Sequence, residues 1–488
     1  MKVLFVHPSP LMYAEIYLRL EPIGLELVAE SVRRRGHDVR LLDLQVFTHK
    51  DYFHELRMFR PDAVGFCLNY LANAPEVIDL AVSTKHILPD SFVFVGGHSA
   101  SFIPESILEH AKGSIDCVLV GEGEPITPGV LDALPGSSFE KLPGVVTLNG
   151  RGPRPELVSD IDELKPARDL TRRRNRYFIG ELDPCASVEF ARGCPWDCSF
   201  CSAWTFYNRT YRMAAPEAAA ENLAAIREPN VFINDDVAFV HPERGYEIAA
   251  AIEKRKIRKR YYLETRADVL LRNQDLFAYW KKLGLTYMFL GIEALDGETL
   301  KLFRKRTNPG KNFEALEAAR KIGVMVAVNI IADPDWDESR FEAVRNWALS
   351  VPEIVHLTVN TPYPGTEIWS TGPRKLTTLD YRLFDVQHAV VPTRLPLKKF
   401  YEELVKTQSV LNRKFLGLRA LIYVFGLTAS LALNGQTNFL KMLWKFNRVY
   451  NPDRQFAEHG REIKYSLAPR PNGGAHPPSG EALFIHKA

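Results

Sequence analysis

Nothing in this chain of 488 residues offers the roughly 20 consecutive apolar residues that a membrane-crossing helix needs. The longest nearly apolar run, Phe415 to Leu433, holds Arg419, and its uncharged part begins only at Ala420. A secretory signal is missing too: in "MKVLFVHPSP" the apolar run stops at His7-Pro8, where a strand gives way to a loop. The cytosol is therefore the expected compartment. An excess of one charge is also lacking. Lys plus Arg count 62 against 59 Asp plus Glu, a formal +3, so no nucleic-acid partner is expected. Basic runs at 33–35, 172–176 and 254–260 read as solvated helix faces or linker.

Cysteine is scarce, with six in the whole chain. In a reducing compartment, clustered thiols point to metal or redox chemistry rather than to disulfides. Half of them stand in "ARGCPWDCSFC", where Cys194, Cys198 and Cys201 make a C-x3-C-x2-C spacing. Cys67 and Cys117 lie in apolar, strand-like surroundings and read as buried core thiols. Cys185, nine residues before the cluster, is either a spare ligand or an inert thiol.

The length predicts two or three domains. Residues 1–150 alternate strand-like and helix-like segments: "KVLFVHP", "VRLLDL", "DAVGFCLNY", "SFVFVGGHSA" and "IDCVLVGEGE" read as strands, with helices such as "GLELVAESVRRRGHDV" between them. This predicts an α/β, doubly wound (Rossmann-like) domain whose ligand sits at the carboxyl ends of the strands. Gly96, Gly97 and His98, and the turn Gly121, Glu122, Gly123 and Glu124, fall at two such ends. A turn after a strand explains either group equally well.

Residues 151–184, rich in Pro, Arg and Asp, read as a linker crossing the surface. A second alternating series over 185–385 has strands at "ASVEFARGC", "NVFINDD", "YYLETRA", "YMFLGIE", "MVAVNIIA" and "IVHLTVN". Six strands with crossover helices predict a partial (β/α)6 barrel, with its chemistry at the strand ends. Those ends carry Glu189, Asp235, Asp236, Arg266, Glu293 and Asp333. Residues 386–470 read as helical, and 471–488 as a disordered tail. In "NFLKMLWKFNRVY", Phe439, Leu440, Met442, Leu443, Phe446, Val449 and Tyr450 share one helical face, opposite Lys441, Lys445 and Arg448. Such a basic amphipathic helix either packs on its own domain or lies on an anionic membrane.

Three thiolates can hold zinc or an iron–sulfur cluster. Structural zinc wants four ligands, and no second cysteine pair is present. A cubane held by three cysteines leaves one iron open for a cosubstrate. The spacing, with Phe200 before the last cysteine and Gly193 after a first barrel strand, resembles the radical S-adenosylmethionine (SAM) superfamily. The resemblance implies a [4Fe–4S] cluster on Cys194, Cys198 and Cys201, with SAM on the fourth iron as source of a hydrogen-abstracting 5′-deoxyadenosyl radical. It also implies that Asp235, Asp236, Arg266 and Glu293 contact SAM, although salt bridging at a barrel mouth would use the last two equally well. The Gly-Phe-Pro-Gly-Glu-Thr-like sequence of many relatives is replaced by "IADPDWDE", so no adenosine contact carries over.

A doubly wound domain ahead of such a barrel resembles the cobalamin-dependent class of that superfamily. "PIGLELVAESVRRRGHDVRLLD", "VFVGGHSASFIPESIL" and "DCVLVGEGE" carry the likeness. It implies cobalamin, with Gly96, Gly97, His98, Gly121, Glu122 and Gly123 as candidate contacts. The D-x-H-x-x-G motif that supplies a cobalt ligand elsewhere is absent, as is usual in this class. A flavodoxin-like domain with no ligand, or with another nucleotide, is also compatible, since fold alone assigns no ligand. Beyond residue 190, "CSAWTFYNRTYR", "NIIADPDWDE", "NTPYPGTE" and "LTTLDYRLFDVQHAVVPTRLPL" resemble the hopanoid C-3 methylase subfamily. That implies methyl transfer to C-3 of the A ring of a hopanoid lipid, an electron donor such as flavodoxin or ferredoxin, and peripheral membrane contact through the amphipathic helix. No acid/base pair stands out, as expected for chemistry at a saturated carbon. A methylase of a tetrapyrrole, a natural product or a hopanoid side chain is the nearer alternative; a zinc-holding binding module is the farther one.

Overall fold

Short apolar runs, each stopped by a turn, assemble the first sheet. The computed structural model describes residues 1–12, 14–134, 137–372, 375–414, 418–468 and 483–485. In chain order the first domain runs β1 (Lys2–His7), α1 (Ile23–Arg33), β2 (Asp38–Asp43), α2 (His49–Phe59), β3 (Ala63–Cys67), α3 (Ala74–Ile87), β4 (Phe92–Gly96), α4 (Pro104–Ala111), β5 (Cys117–Leu119), α5 (Gly123–Ala133), β6 (Val145–Thr147) and β7 (Gly150–Arg151). The strand order is β2-β1-β3-β4-β5-β6-β7, with the first five parallel and the last two joined antiparallel. Order reverses between β1 and β3, which opens the crevice where doubly wound folds take ligands. Helix α2 begins with a capping box in which Thr48 and Asp51 satisfy each other's backbone amides.

The second sheet is built from β8 (Cys185–Val188), β11 (Asn230–Ile233), β12 (Arg260–Arg266), β13 (Leu285–Glu293), β14 (Met325–Ala332) and β15 (Ile354–Val359), all parallel and in sequence order. Between β8 and β11 the short strands β9 (Ala191–Arg192) and β10 (Thr210–Met213) form an antiparallel pair. Helices α6 (Pro216–Ala224), α7 (Pro242–Lys254), α8 (Gln274–Leu283), α9 (Pro309–Ile322) and α10 (Glu338–Ser350) supply the crossovers. Val188, Val231, Leu263, Leu290, Val328 and Leu357 face these helices in the main core. The alternate residues face inward, where Cys185, Phe232 and Tyr262, with Tyr287 and Phe289, form an aromatic floor. This is the partial (β/α)6 barrel that the spacing predicts.

The segment 151–184 departs from the surface linker expected of it. Tyr177, Phe178 and Leu182 are buried. Tyr177 donates to Asp43 Oδ2 at 2.7 Å, and Arg168 donates to Glu21 Oε1 at 2.8 Å. Arg174, from a run read as solvated, pairs with Glu21 and Glu228. Carboxylates far away in sequence turn a polar segment into a seam between the domains.

The chain ends in α11 (Leu397–Arg413), α12 (Leu418–Leu433), α13 (Asn438–Val449) and α14 (Pro452–Glu458). The tail read as disordered lies largely outside the described residues. Leu483–Ile485, however, form a strand that pairs in parallel with β10, so those three residues correct that expectation. Among the described residues no helix is long and apolar enough to cross a membrane.

Candidate functional site

The loop that follows β9 carries Cys194, Cys198 and Cys201. It can only start as it does because Gly193 has φ +95°, and a Cβ there would lie 2.2 Å from the Thr210 carbonyl oxygen. The three thiols feel one another. Burial, then the neighbouring Cys201, drives Cys194 well above the usual thiol range; burial and Cys198 push Cys201 up to about 12. Arg266 donates from Nη1 to Cys198 Sγ at 3.6 Å and lies over the Trp196 ring at 4.5 Å. The buried Lys305 sits 5.9 Å from the Phe200 ring centre. Close thiols beside two fixed cations suit a thiolate-ligated cluster. Among the described residues no three His, Cys, Asp or Glu side chains converge tightly enough for one metal ion.

The acids expected to touch SAM mostly hold this loop. Asp235 Oδ1 accepts from the amides of Phe190 and Ala191 at 2.8 and 2.9 Å. Asp236 Oδ2 accepts from the Gly193 amide at 2.9 Å. Burial raises both carboxyls, Asp235 strongly. Arg266 also donates to Asp268 and to the Lys305 carbonyl. Glu293 ends β13 at φ +61°, where the register with β14 slips, and accepts from Lys305 Nζ at 2.9 Å. Asp333, also named from its strand end, accepts from the Asp335 amide and from Asn360 instead.

The two turns expected to cradle a corrin also make contacts within the protein. At the end of β4, Gly97 has φ +114°, and a Cβ would meet Asn69 Oδ1 at 2.8 Å, so its glycine serves contact with the neighbouring loop. Gly96 lies over Leu119, Gly121 packs on Pro155, and Gly123 packs on Val28 of α1. His98 reaches across to the barrel: its Nε2 is 2.8 Å from Ser202 Oγ, and its ring lies against Phe206 with centroids 4.8 Å apart. Burial lowers this imidazole to about 4, so it is neutral at ordinary pH. Glu122 is buried as well. It accepts from Arg192 Nη1 and from Arg212 Nη1, both at 2.8 Å, while Glu124 accepts from Arg192 Nη2 at 2.7 Å. Arg192 completes its fork on Glu189 at 2.7 Å. Both turns therefore grip the cluster loop, one just before Cys194 and one just after Cys201.

Above the aromatic floor the barrel opens toward the first domain. Glu264 faces this space; burial first, then the charges of Asp236 and Glu293, push its carboxyl up to about 7. Tyr70, at the end of β3, is 48% exposed, yet burial and the charges of Cys67 and Glu264 raise its phenol. On the opposite wall Asn329 donates to Thr358 at 2.8 Å, but its Oδ1 is buried without a partner. His356, lowered to about 4 by burial, packs edge-on against Tyr17 at 5.2 Å. An orphaned acceptor and a carboxyl raised to about 7 on the inward face of the barrel suit a polar cosubstrate such as SAM, and His98 and Glu122 bring the first domain, which would hold a corrin, against the cluster loop. Sequence reasoning missed Glu264, Lys305, Arg192, Ser202 and Tyr70. Inward alternation along "YYLETRA" is the one signal that could have found Glu264.

Comparison with known proteins agrees with this arrangement. Residues 10–131 match the B12 binding domain family, and residues 188–348 match the Radical SAM superfamily. The hopanoid C-3 methylase of Methylococcus capsulatus is 58% identical over 489 residues, covering 100% of this chain and 95% of that protein. An anaerobic magnesium-protoporphyrin IX monomethyl ester cyclase of Cereibacter sphaeroides is 24% identical, covering 87% of this chain and 71% of its own. Among solved structures, the cobalamin-dependent S-adenosylmethionine radical enzyme OxsB superposes with a TM-score of 0.64 at 14% identity, over 94% of this chain and 80% of that one. Its form with aqua-cobalamin and S-adenosylmethionine bound gives 0.60 at 17% identity, over 84% of this chain and 56% of that one. At such identities the likeness shows the fold.

Proposed function

The chain belongs to the hopanoid C-3 methylase family of cobalamin-binding radical SAM proteins, and on that premise we propose that it adds a methyl group to C-3 of the hopanoid A ring. When bound, the cofactors supply the hydrogen-abstracting radical and the methyl group. Cys194, Cys198 and Cys201 would hold the cluster, and Arg266 and Lys305 offset its thiolate charge. Asn329, Glu264 and Glu293 would meet SAM from the barrel wall. The ends of β1, β3 and β4 would carry the corrin.

The observation that carries this reading is that turns at the carboxyl ends of the first sheet's strands bond the segment flanking the three cysteines, which follows the first strand of the second sheet: His98 to Ser202 and Glu122 to Arg192, each at 2.8 Å. A substrate carbon between the two domains would be flanked by both cofactors, which is the proximity such a transfer needs. Phe232, Tyr262, Tyr287 and Phe289 provide an apolar floor for a hydrocarbon ring. A one-electron donor such as flavodoxin or ferredoxin would reduce the cluster, and peripheral contact through α13 would bring the enzyme to a membrane lipid.

The test is expression in a host that makes hopanoids but no 3-methylhopanoids, followed by mass spectrometry of the lipids. Hopanoids heavier by one methylene, with the added methyl on ring A at C-3, are expected. Unchanged lipids from protein carrying cluster and cobalamin would refute the hopanoid assignment and direct the search to tetrapyrroles or other natural products.

A further inference from the structure

Residues 404–452 contain seven Lys or Arg and no Asp or Glu, in a chain whose net charge is only +3. Within that span α12 carries one charge, Arg419, in 16 residues. Its apolar face points away from the protein: Ile422, Phe425 and Leu433 are 65%, 78% and 89% exposed. With the exposed Gly426 and Ala429 they fall within an arc of about 100° on a helical wheel. Helix α13 extends the surface. Phe439 is buried, and Val449 and Tyr450 pack on Ile16, so part of the face expected to meet a membrane is turned into the protein. Leu440 and Trp444, one turn apart, are 50% and 59% exposed beside the exposed Lys441. The side chains of Leu443, Phe446 and Arg448 lie outside the described set.

Single exposed apolar residues are ordinary on a protein surface, but a contiguous stripe marks an interaction site. Charge decides the occupant. Lys414 is engaged by the Ala348, Val351 and Glu353 carbonyls and Lys406 by Glu403. A span with no carboxylate of its own, with Arg413 and Lys441 exposed and Trp444 at its edge, nevertheless complements an anionic headgroup layer. At about 1.5 Å per residue α12 is too short to cross the hydrocarbon core and long enough to lie along its surface.

We propose that α12, with the outer edge of α13, docks the enzyme flat on an anionic lipid bilayer. This deepens the membrane contact given above, moving its main element from α13 to α12, and does not depend on which lipid is methylated.

The test uses the full-length protein and phosphatidylcholine vesicles with or without phosphatidylglycerol, free of hopanoids, so its outcome is separate from that of the lipid analysis. Cosedimentation with the anionic vesicles is expected, weakened by salt and by Lys441→Glu. F425D and L433D should each weaken it about tenfold or more, while M58D, at a residue 68% exposed on the first domain, should not. Wild-type protein left in the supernatant, or binding untouched by F425D and L433D, would overturn the proposal. So would a dimer in solution that F425D dissociates, which would assign the face to a second copy of the chain.

Discussion

His98 Nε2 lies 2.8 Å from Ser202 Oγ, so a turn of the cobalamin-binding domain touches the residue directly after the third cluster cysteine. Sequence placed His98 among the candidate corrin contacts. In the structure it ties the first domain to the barrel beside the three cysteines. Because burial keeps the imidazole neutral down to about pH 4, the bond persists across the physiological range.

Ser202→Ala removes that bond with little change in volume. A net hydrogen bond is worth about 1 kcal/mol, roughly fivefold in a positioning equilibrium. The variant should keep its iron and still form 5′-deoxyadenosine, but make about fivefold more of it per methylated product, because the substrate carbon and the methyl source are less well aligned. Product and 5′-deoxyadenosine falling together, at an unchanged ratio, would show a purely structural role.

Arg192 binds Glu122, Glu124 and Glu189 while only 5% of its side chain is exposed. Arg192→Met would leave the buried Glu124 and the half-buried Glu189 without their cation and Glu122 with Arg212 alone. Removing one partner of such a network costs about 3–5 kcal/mol. Urea unfolding should show a loss of that size, with Arg192→Lys recovering only part of it, since an ammonium cannot replace the guanidinium fork. Unaltered stability in Arg192→Met would mean that the carboxylates find water.

Cys198→Ala should abolish the brown colour of anaerobically purified protein together with 5′-deoxyadenosine formation. Wild-type levels of either would sink the cluster assignment.

His388 is 1% exposed and sits between Asp385 at 3.0 Å and Glu458 at 2.9 Å. Burial opposes its charge, but the two carboxylates outweigh that and hold its pKa at about 9. In the unfolded chain the proton leaves near 6.5, about the reference value. The folded state thus binds the extra proton between those values. Its contribution is whole below pH 6.5 and lost as pH rises toward 9. Denaturation midpoints should fall over that window by the equivalent of up to about 3 kcal/mol, and His388→Gln should flatten the curve.

The candidate cluster cysteines were legible because C-x3-C-x2-C is a local arrangement, complete within eight residues. The strands were legible for the same reason: apolar runs and the turns that end them are properties of neighbours in the chain. Glu122 and His98 were not. Their turns could be placed, but their partners, Arg192 and Ser202, lie 70 and 104 residues away. The segment 151–184 was misread on composition, since its arginines look solvated until Glu21, 153 residues from Arg174, is brought alongside. Helix α13 was recognised as amphipathic, yet the wheel could not show that Val449 and Tyr450 face Ile16 or that α12 has its apolar side outward. What the sequence determined by itself is most of the elements and the candidate ligands of the cluster, because spacing and periodicity act over a few residues. Only the tertiary structure decided which buried charge meets which countercharge and which apolar face stays uncovered, because both depend on where remote segments dock.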